Sequence, residues 1–243
     1  MLAFYLVFII TLLLFLFLSL KRESLEKYAY LLASLPLFVL LFFTYTRGAW
    51  LCLFLILFLV GLLRFRFFLL SFLAVILIFY VGFLPFRERL DSLIAFSAAD
   101  STVWRLELWR DSLEYAKGSW LIGHGPGTSA YLISQNRSPL LGSSEPHNDY
   151  IKLILEIGLL GLAAYLLLLL SLLRRLWRGW RQDEAPRRRL LFLFMLIFSL
   201  ALFVASAGDN ILKDSSLQWS FWALLGSILA GQTRLSIKEK AAS

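Results

Sequence analysis

The stretch SSEPHNDYIKLILEIGLLGLAAYLLLLLSLL (143–173) sets a histidine, an asparagine and an aspartate directly before a long apolar run. Imidazole exchanges a proton near neutral pH, so His147 is the first candidate for chemistry. In one reading Ser144 or Glu145 caps a helix, Pro146 takes its first position and His147 falls in the first turn. The positive end of the helix dipole then disfavours a protonated ring. A neutral ring there serves as a general base, with Asn148 beside it and Asp149 to orient it. In the other reading His147 is a capping or interfacial side chain and does no chemistry.

Two arginines could serve an anion. Arg110 has Glu107 three residues before it and Glu114 four after, so it can pair within a helix. Arg105 has Leu108 and Trp109 at the forward spacings, which leaves its guanidinium for an external partner. Arg47, in TYTRGAW, lies between two apolar runs. It either snorkels to lipid headgroups or grips a phosphate bidentately. In GHGPGTSAY (123–131), Gly125 and Gly127 allow a plain turn or a backbone nest for an anion. No Gly-Lys-Ser/Thr follows, so this is no P-loop. No DxD and no His/carboxylate cluster is visible beside these residues, so neither metal nor cofactor is expected.

The elements that position these groups follow from composition. The chain has 243 residues, 60% of them hydrophobic, above the roughly 45–50% apolar usage of a soluble domain. The apolar residues fall in nearly uncharged blocks at 2–20, 28–44, 49–63, 67–84, 150–173, 190–206 and 217–230. A membrane span needs about 20 such residues, with a range of about 17–25. The expectation is an all-α, polytopic integral membrane protein with about seven transmembrane helices. The first block is too long for a signal peptide and lacks a basic start. Cys52 lies within a span, and as the single cysteine it excludes an intrachain disulfide.

Lys and Arg collect in cytoplasmic loops. Lys21, Arg22 and Lys27, then Arg64 and Arg66, then the arginines of 174–189, then Arg234, Lys238 and Lys240 all alternate in phase. The net charge of +8 is therefore a topology signal, and no nucleic acid is expected as partner. The Arg-rich loop can also touch anionic lipid headgroups. The opposite, outer side receives the turn near Arg47, the near-neutral segment 85–147 and the loop 208–216. The expected division is helices one to four over 1–84, an outer loop with short helices over 85–147, helices five to seven over 148–231, and a cytoplasmic tail over 232–243. Within the outer loop, 100–118 reads as a helix capped by Asp100 or Ser101 and stopped at Gly118. Leu106, Trp109, Leu113 and Ala116 form its apolar stripe, so it either lies on the bilayer or bundle or contributes to a site.

TRGAW, RLELW, LIGHGPGT and PHNDYIKLILEIGLLGL together resemble the O-antigen ligase and O-antigen polymerase superfamily of bacterial envelope enzymes. The last stretch matches the ligase pattern of His, then Asn, Ser or Gln, then a Gly-x-x-Gly, here His147, Asn148, Gly158 and Gly161. The resemblance covers roughly residues 30–175. Family members usually have more spans with both ends in the cytoplasm, so the chain is expected to be the C-terminal portion of such a protein. His124 departs from the family, which more often has a small apolar residue there.

The resemblance implies a multi-pass protein of the bacterial inner membrane with its site on the periplasmic face. It implies a glycan donor linked to a polyprenyl diphosphate, such as undecaprenyl diphosphate. The acceptor is a hydroxyl of a glycan, of lipid A–core or of another molecule. His147 corresponds to the general base, Arg47 and Arg105 to the arginines holding the diphosphate. A polysaccharide polymerase would use the same donor with another acceptor. Outside this class stand a solute transporter and an inactive truncated fragment. Against the transporter, no expected span carries a charge near its centre, where transport sites usually place one.

Overall fold

The computed structural model describes residues 2–21, 24–94, 101–136 and 143–242. Every regular element among them is helical. The α-helices are α1 (Leu2–Ser19), α2 (Glu26–Phe43), α3 (Arg47–Leu63), α4 (Arg66–Gly82), α5 (Leu84–Ile94), α6 (Ser101–Tyr115), α7 (Ser129–Asn136), α8 (Asp149–Gln182), α9 (Pro186–Ala205) and α10 (Ser215–Ala242). Short 3-10 turns follow α6 at Ala116–Gly118 and precede α10 at Ile211–Lys213. The helices α1, α2, α8 and α9 are long and apolar enough to cross a membrane. The apolar helices α3 and α4 have 17 residues each. At 1.5 Å per residue these two measure about 26 Å, a little short of a hydrocarbon core of about 30 Å.

The chain forms two compact units. The first comprises 1–53, 172–202 and 211–243. Its core is aromatic. Phe8 and Phe15 of α1 meet Phe198 and Phe194 of α9 at ring-centroid distances of 5.2 and 5.7 Å. Phe198 also contacts Phe221 of α10. Thr11 and Ser199 are buried in this core and return their hydroxyls to the carbonyls of Val7 and Met195, so no donor is stranded. Along α2, by contrast, Leu31, Leu32, Leu35, Val39 and Leu40 are all exposed. An apolar face of that extent is the face of a helix meant for lipid.

The second unit comprises 54–171 and 203–210. Leu108 of α6, Ala116, Ile133 of α7, and Ile151 and Leu155 of α8 form its small core, flanked by Trp104, Trp109, Tyr115 and Ile154. The expected helix over 100–118 is present as α6 and its 3-10 turn; Asp100, one of its two expected caps, lies outside the described residues. The stripe is rotated from the expected one. Leu108, Ser112 and Ala116 are buried while Leu106 is 55% exposed. A serine can take a core position here because its Oγ donates to the Leu108 carbonyl. Of the two acids expected to serve Arg110, Glu114 pairs with Lys117.

A straight 34-residue α8 would be about 51 Å long, far more than a bilayer core requires. The helix is broken at Gly158, whose φ of 67° and ψ of −172° are non-helical. The break would strand the carbonyls of Leu155 and Glu156 and the N–H groups of Leu159 and Leu160. The glycine-rich loop takes up all four. His124 and Gly125 N–H donate to Leu155 and Glu156 O at 2.8 and 2.9 Å. Leu159 and Leu160 N–H donate to Trp120 and Leu121 O at 2.8 and 3.2 Å. The approach is backbone to backbone. A Cβ on Gly123 would run into the Glu156 carbonyl, and one on Gly158 into the Leu121 carbonyl. The Gly125 N–H is thereby committed to α8, and the anion-nest reading does not apply to it. Beyond Gly158 the rest of α8 is still about 36 Å long, sufficient to span. The part before it, 149–157, is a short separate helix in the core of the second unit.

Candidate functional site

His147 does not sit in the first turn of α8. Asn148 Oδ1 accepts the N–H groups of Tyr150 and Ile151 at 3.0 and 3.2 Å, which makes Asn148 the N-cap. Ser143 instead accepts the N–H of Glu145 in a local turn. The asparagine prevails because its carbonyl lies in line with the two free N–H groups of the first turn. His147 therefore precedes the cap and has a positive φ of 49°. A non-glycine residue there carries about 1–2 kcal/mol of strain, and it persists only where its surroundings over-determine it.

Those surroundings are specific, and all belong to the second unit. Trp109 Nε1–H donates to the carbonyl of Pro146, immediately before His147, at 2.6 Å. The N–H of Asp149 donates to Ser206 O at 2.8 Å. Tyr150 Oη–H donates to Phe203 O at 2.6 Å. The Trp104 ring stands edge-on to the imidazole, with centroids 6.0 Å apart and planes at 84°.

The carboxylate set against the ring is that of Asp209. Its Oδ1 lies 3.7 Å from His147 Nδ1, an ion-pair separation longer than a hydrogen bond. Burial pushes the Asp209 carboxyl up. The facing His147 ring, the Asn210 N–H and the charge of Arg105 outweigh that and hold it below the usual carboxylate range. The Asn210 N–H donates to Asp209 Oδ1 at 2.8 Å. The expected orienting residue, Asp149, is the first residue of α8 and fully buried.

Arg105 joins the same constellation. One of its terminal nitrogens donates to the Gly208 carbonyl at 2.9 Å. Its Nε is buried and has no hydrogen-bond partner among the described residues. Its guanidinium is thus anchored through one nitrogen, outside its own helix. Helix α6 holds both halves of the pair from one side. Trp109 grips the carbonyl just before His147, and Arg105 the carbonyl just before Asp209.

Arg47 belongs to the first unit, where it opens α3 and is half-buried. Gly127 has a positive φ of 81° in the loop that mends α8. Sequence reasoning missed Asp209. The available signal was an aspartate in the GDN turn of the loop 208–216, which the charge pattern assigns to the same side as His147. It also missed Glu156, whose buried carboxylate accepts the Ser129 hydroxyl at 2.6 Å at the start of α7. Among the described residues no group of three or more His, Cys, Asp or Glu is placed to hold a metal ion.

An imidazole with a carboxylate on one side and a tryptophan edge on another can accept a proton and keep its orientation while doing so. Residues 30–166 match the family model described as O-antigen ligase. The match takes in α6, the glycine-rich loop, His147 and the break at Gly158. No curated protein matches the chain.

Proposed function

Because the chain belongs to the O-antigen ligase family, we propose that it transfers a glycan from a polyprenyl diphosphate, such as undecaprenyl diphosphate, to an acceptor hydroxyl. The observation that carries this reading is the His147–Asp209 pair, whose histidine has a strained backbone and lies within the matched region. The family itself makes the protein a membrane-embedded, glycosyltransferase-like enzyme of polysaccharide and lipopolysaccharide biosynthesis.

In the proposed step the acceptor oxygen attacks the anomeric carbon while its proton passes to His147 Nε2. The bond from that carbon to the phosphate oxygen breaks, and the lipid diphosphate leaves with the electron pair. Asp209 favours the tautomer with its proton on Nδ1, which leaves Nε2 as the acceptor. Arg47 and Arg105 neutralise the diphosphate, whose charge increases as it leaves. Arg105 retains unused N–H donors for this, because only one nitrogen is given to Gly208. Seven spans, in the phase set by the Lys and Arg loops, would place the site on the periplasmic face of the inner membrane, where donor and a lipid A–core or other glycan acceptor meet.

The test is transfer from a polyprenyl-diphosphate-linked glycan by membranes containing the chain. His147→Ala should lower the rate by about 10²–10⁴-fold, the usual range for a general base. Donor affinity should change little. Near-normal transfer in the variant would remove the base assignment. Lost affinity at normal turnover would recast His147 as a binding residue.

A further inference from the structure

At the arginine-rich end of α8, away from His147 in sequence, the first unit contains a shallow groove of about 270 Å³. Leu173, Arg174, Trp177 and Arg178 of α8 and Leu196 of α9 line it. The walls are hydrocarbon, and two guanidinium groups stand at the rim. Arg174 and Arg178 are four residues apart, so they share one helix face. Three other arginines nearby are engaged. Arg188 pairs with Asp183 at 3.0 Å, Arg189 donates to the Trp180 carbonyl at 3.3 Å, and Arg181 lies over the Trp180 ring. Arg174 and Arg178 have no hydrogen bond or ion pair among the described residues, and both are exposed.

The walls of the groove are fixed relative to each other. A Cβ on Gly179 would lie 2.6 Å from the Phe192 ring, so the glycine admits that ring against α8. Trp177 stacks edge-on to Trp180 with centroids 4.9 Å apart, yet is 51% exposed. A half-exposed tryptophan at the end of an apolar helical run is what the water–lipid interface favours.

We propose that this groove binds one anionic phospholipid. The phosphodiester lies between Arg174 and Arg178, and the start of an acyl chain follows Leu173 and Leu196. Charge complementarity selects the headgroup and the apolar walls select a lipid over free phosphate. The proposal does not depend on the glycan-transfer reading, and nothing in the test below uses that activity.

The test uses the full chain in detergent, with bound lipid counted by native mass spectrometry during titration with phosphatidylglycerol or phosphatidylcholine. Wild type should retain one phosphatidylglycerol in preference to phosphatidylcholine. Each basic residue near a membrane surface contributes about fivefold to anionic lipid binding, so Arg174→Gln with Arg178→Gln should weaken retention about tenfold or more. Arg175→Gln with Arg187→Gln removes the same charge from exposed positions outside the groove and should leave retention unchanged. Leu196→Trp should also weaken it, by filling the groove with both arginines intact. Equal loss in the two arginine pairs would mean diffuse attraction and overturn the site. Unchanged retention in the first pair would overturn it as well. Displacement by inorganic phosphate as effective as by phosphatidylglycerol would assign the groove to free phosphate and overturn the lipid.

Discussion

Asp209 is the residue on which the geometry around His147 turns. Its carboxyl is held below its usual value of 3.8, because His147, Asn210 and Arg105 outweigh the cost of burial. A folded-state value below the unfolded one contributes stability that is fully present above the unfolded value. That contribution is lost as pH falls through the depressed value. The gap in thermal stability between wild type and Asp209→Asn should therefore persist through neutral pH and close only below 3.8. A gap that stayed open well below that value would contradict the depressed carboxyl. Asp209→Asn should also slow transfer by roughly 10–10²-fold, less than loss of the base itself. Trp109→Phe keeps the ring but deletes the donor to Pro146 O. It is a positioning residue, so its loss should lower turnover without raising the donor KM. A rise in KM alone would place Trp109 in donor binding instead.

At the scale of the element, the glycine-rich loop and the break in α8 are one device. Gly158 combines a positive φ with a close approach to the Leu121 carbonyl. Gly158→Ala should cost at least about 1–2 kcal/mol from the backbone conformation alone. It should also move the loop that satisfies Leu155 and Glu156. Gly161 has helical geometry, so an alanine there carries no conformational strain, although its Cβ would come within 2.6 Å of the Ile157 Cβ, which must shift. Gly161→Ala should be milder in thermal unfolding of the detergent-solubilised protein. Equal tolerance at both positions would mean that α8 runs straight in the membrane.

For the molecule as a whole, orientation in the bilayer decides whether His147 meets an externally presented glycan. The phase of the Lys and Arg loops predicts 174–189 in the cytoplasm and 120–140 outside. In cells with a permeabilised outer membrane, Ser134→Cys should react with an impermeant thiol reagent and Glu184→Cys should not. Cys52 is buried and adds no background. Labelling of Glu184→Cys would reverse the topology and move the candidate site to the other face.

Much of this was legible in the residues. The apolar blocks become helices because a run without charge can satisfy its backbone in lipid only by coiling. His147, Asn148, Gly158 and Gly161 were recognisable as one motif, and α6 was readable from its cap and stop. What the sequence could not supply was the partnership between distant segments. Asp209 meets His147 only because α6 ties down Gly208 and Pro146 together. Arg105 and Trp109 reach those carbonyls from positions that looked like a free cation and one member of an apolar stripe. Asn148 displaced Ser144 as the cap, which moved His147 out of the helix and into a positive φ. The break at Gly158 is tolerable only because four backbone groups find partners in the 120–125 segment. Periodicity and propensity are local and are written along the chain. Which carboxylate faces an imidazole, and which carbonyls receive a stranded N–H, depends on how separate helices pack, and that is decided in three dimensions.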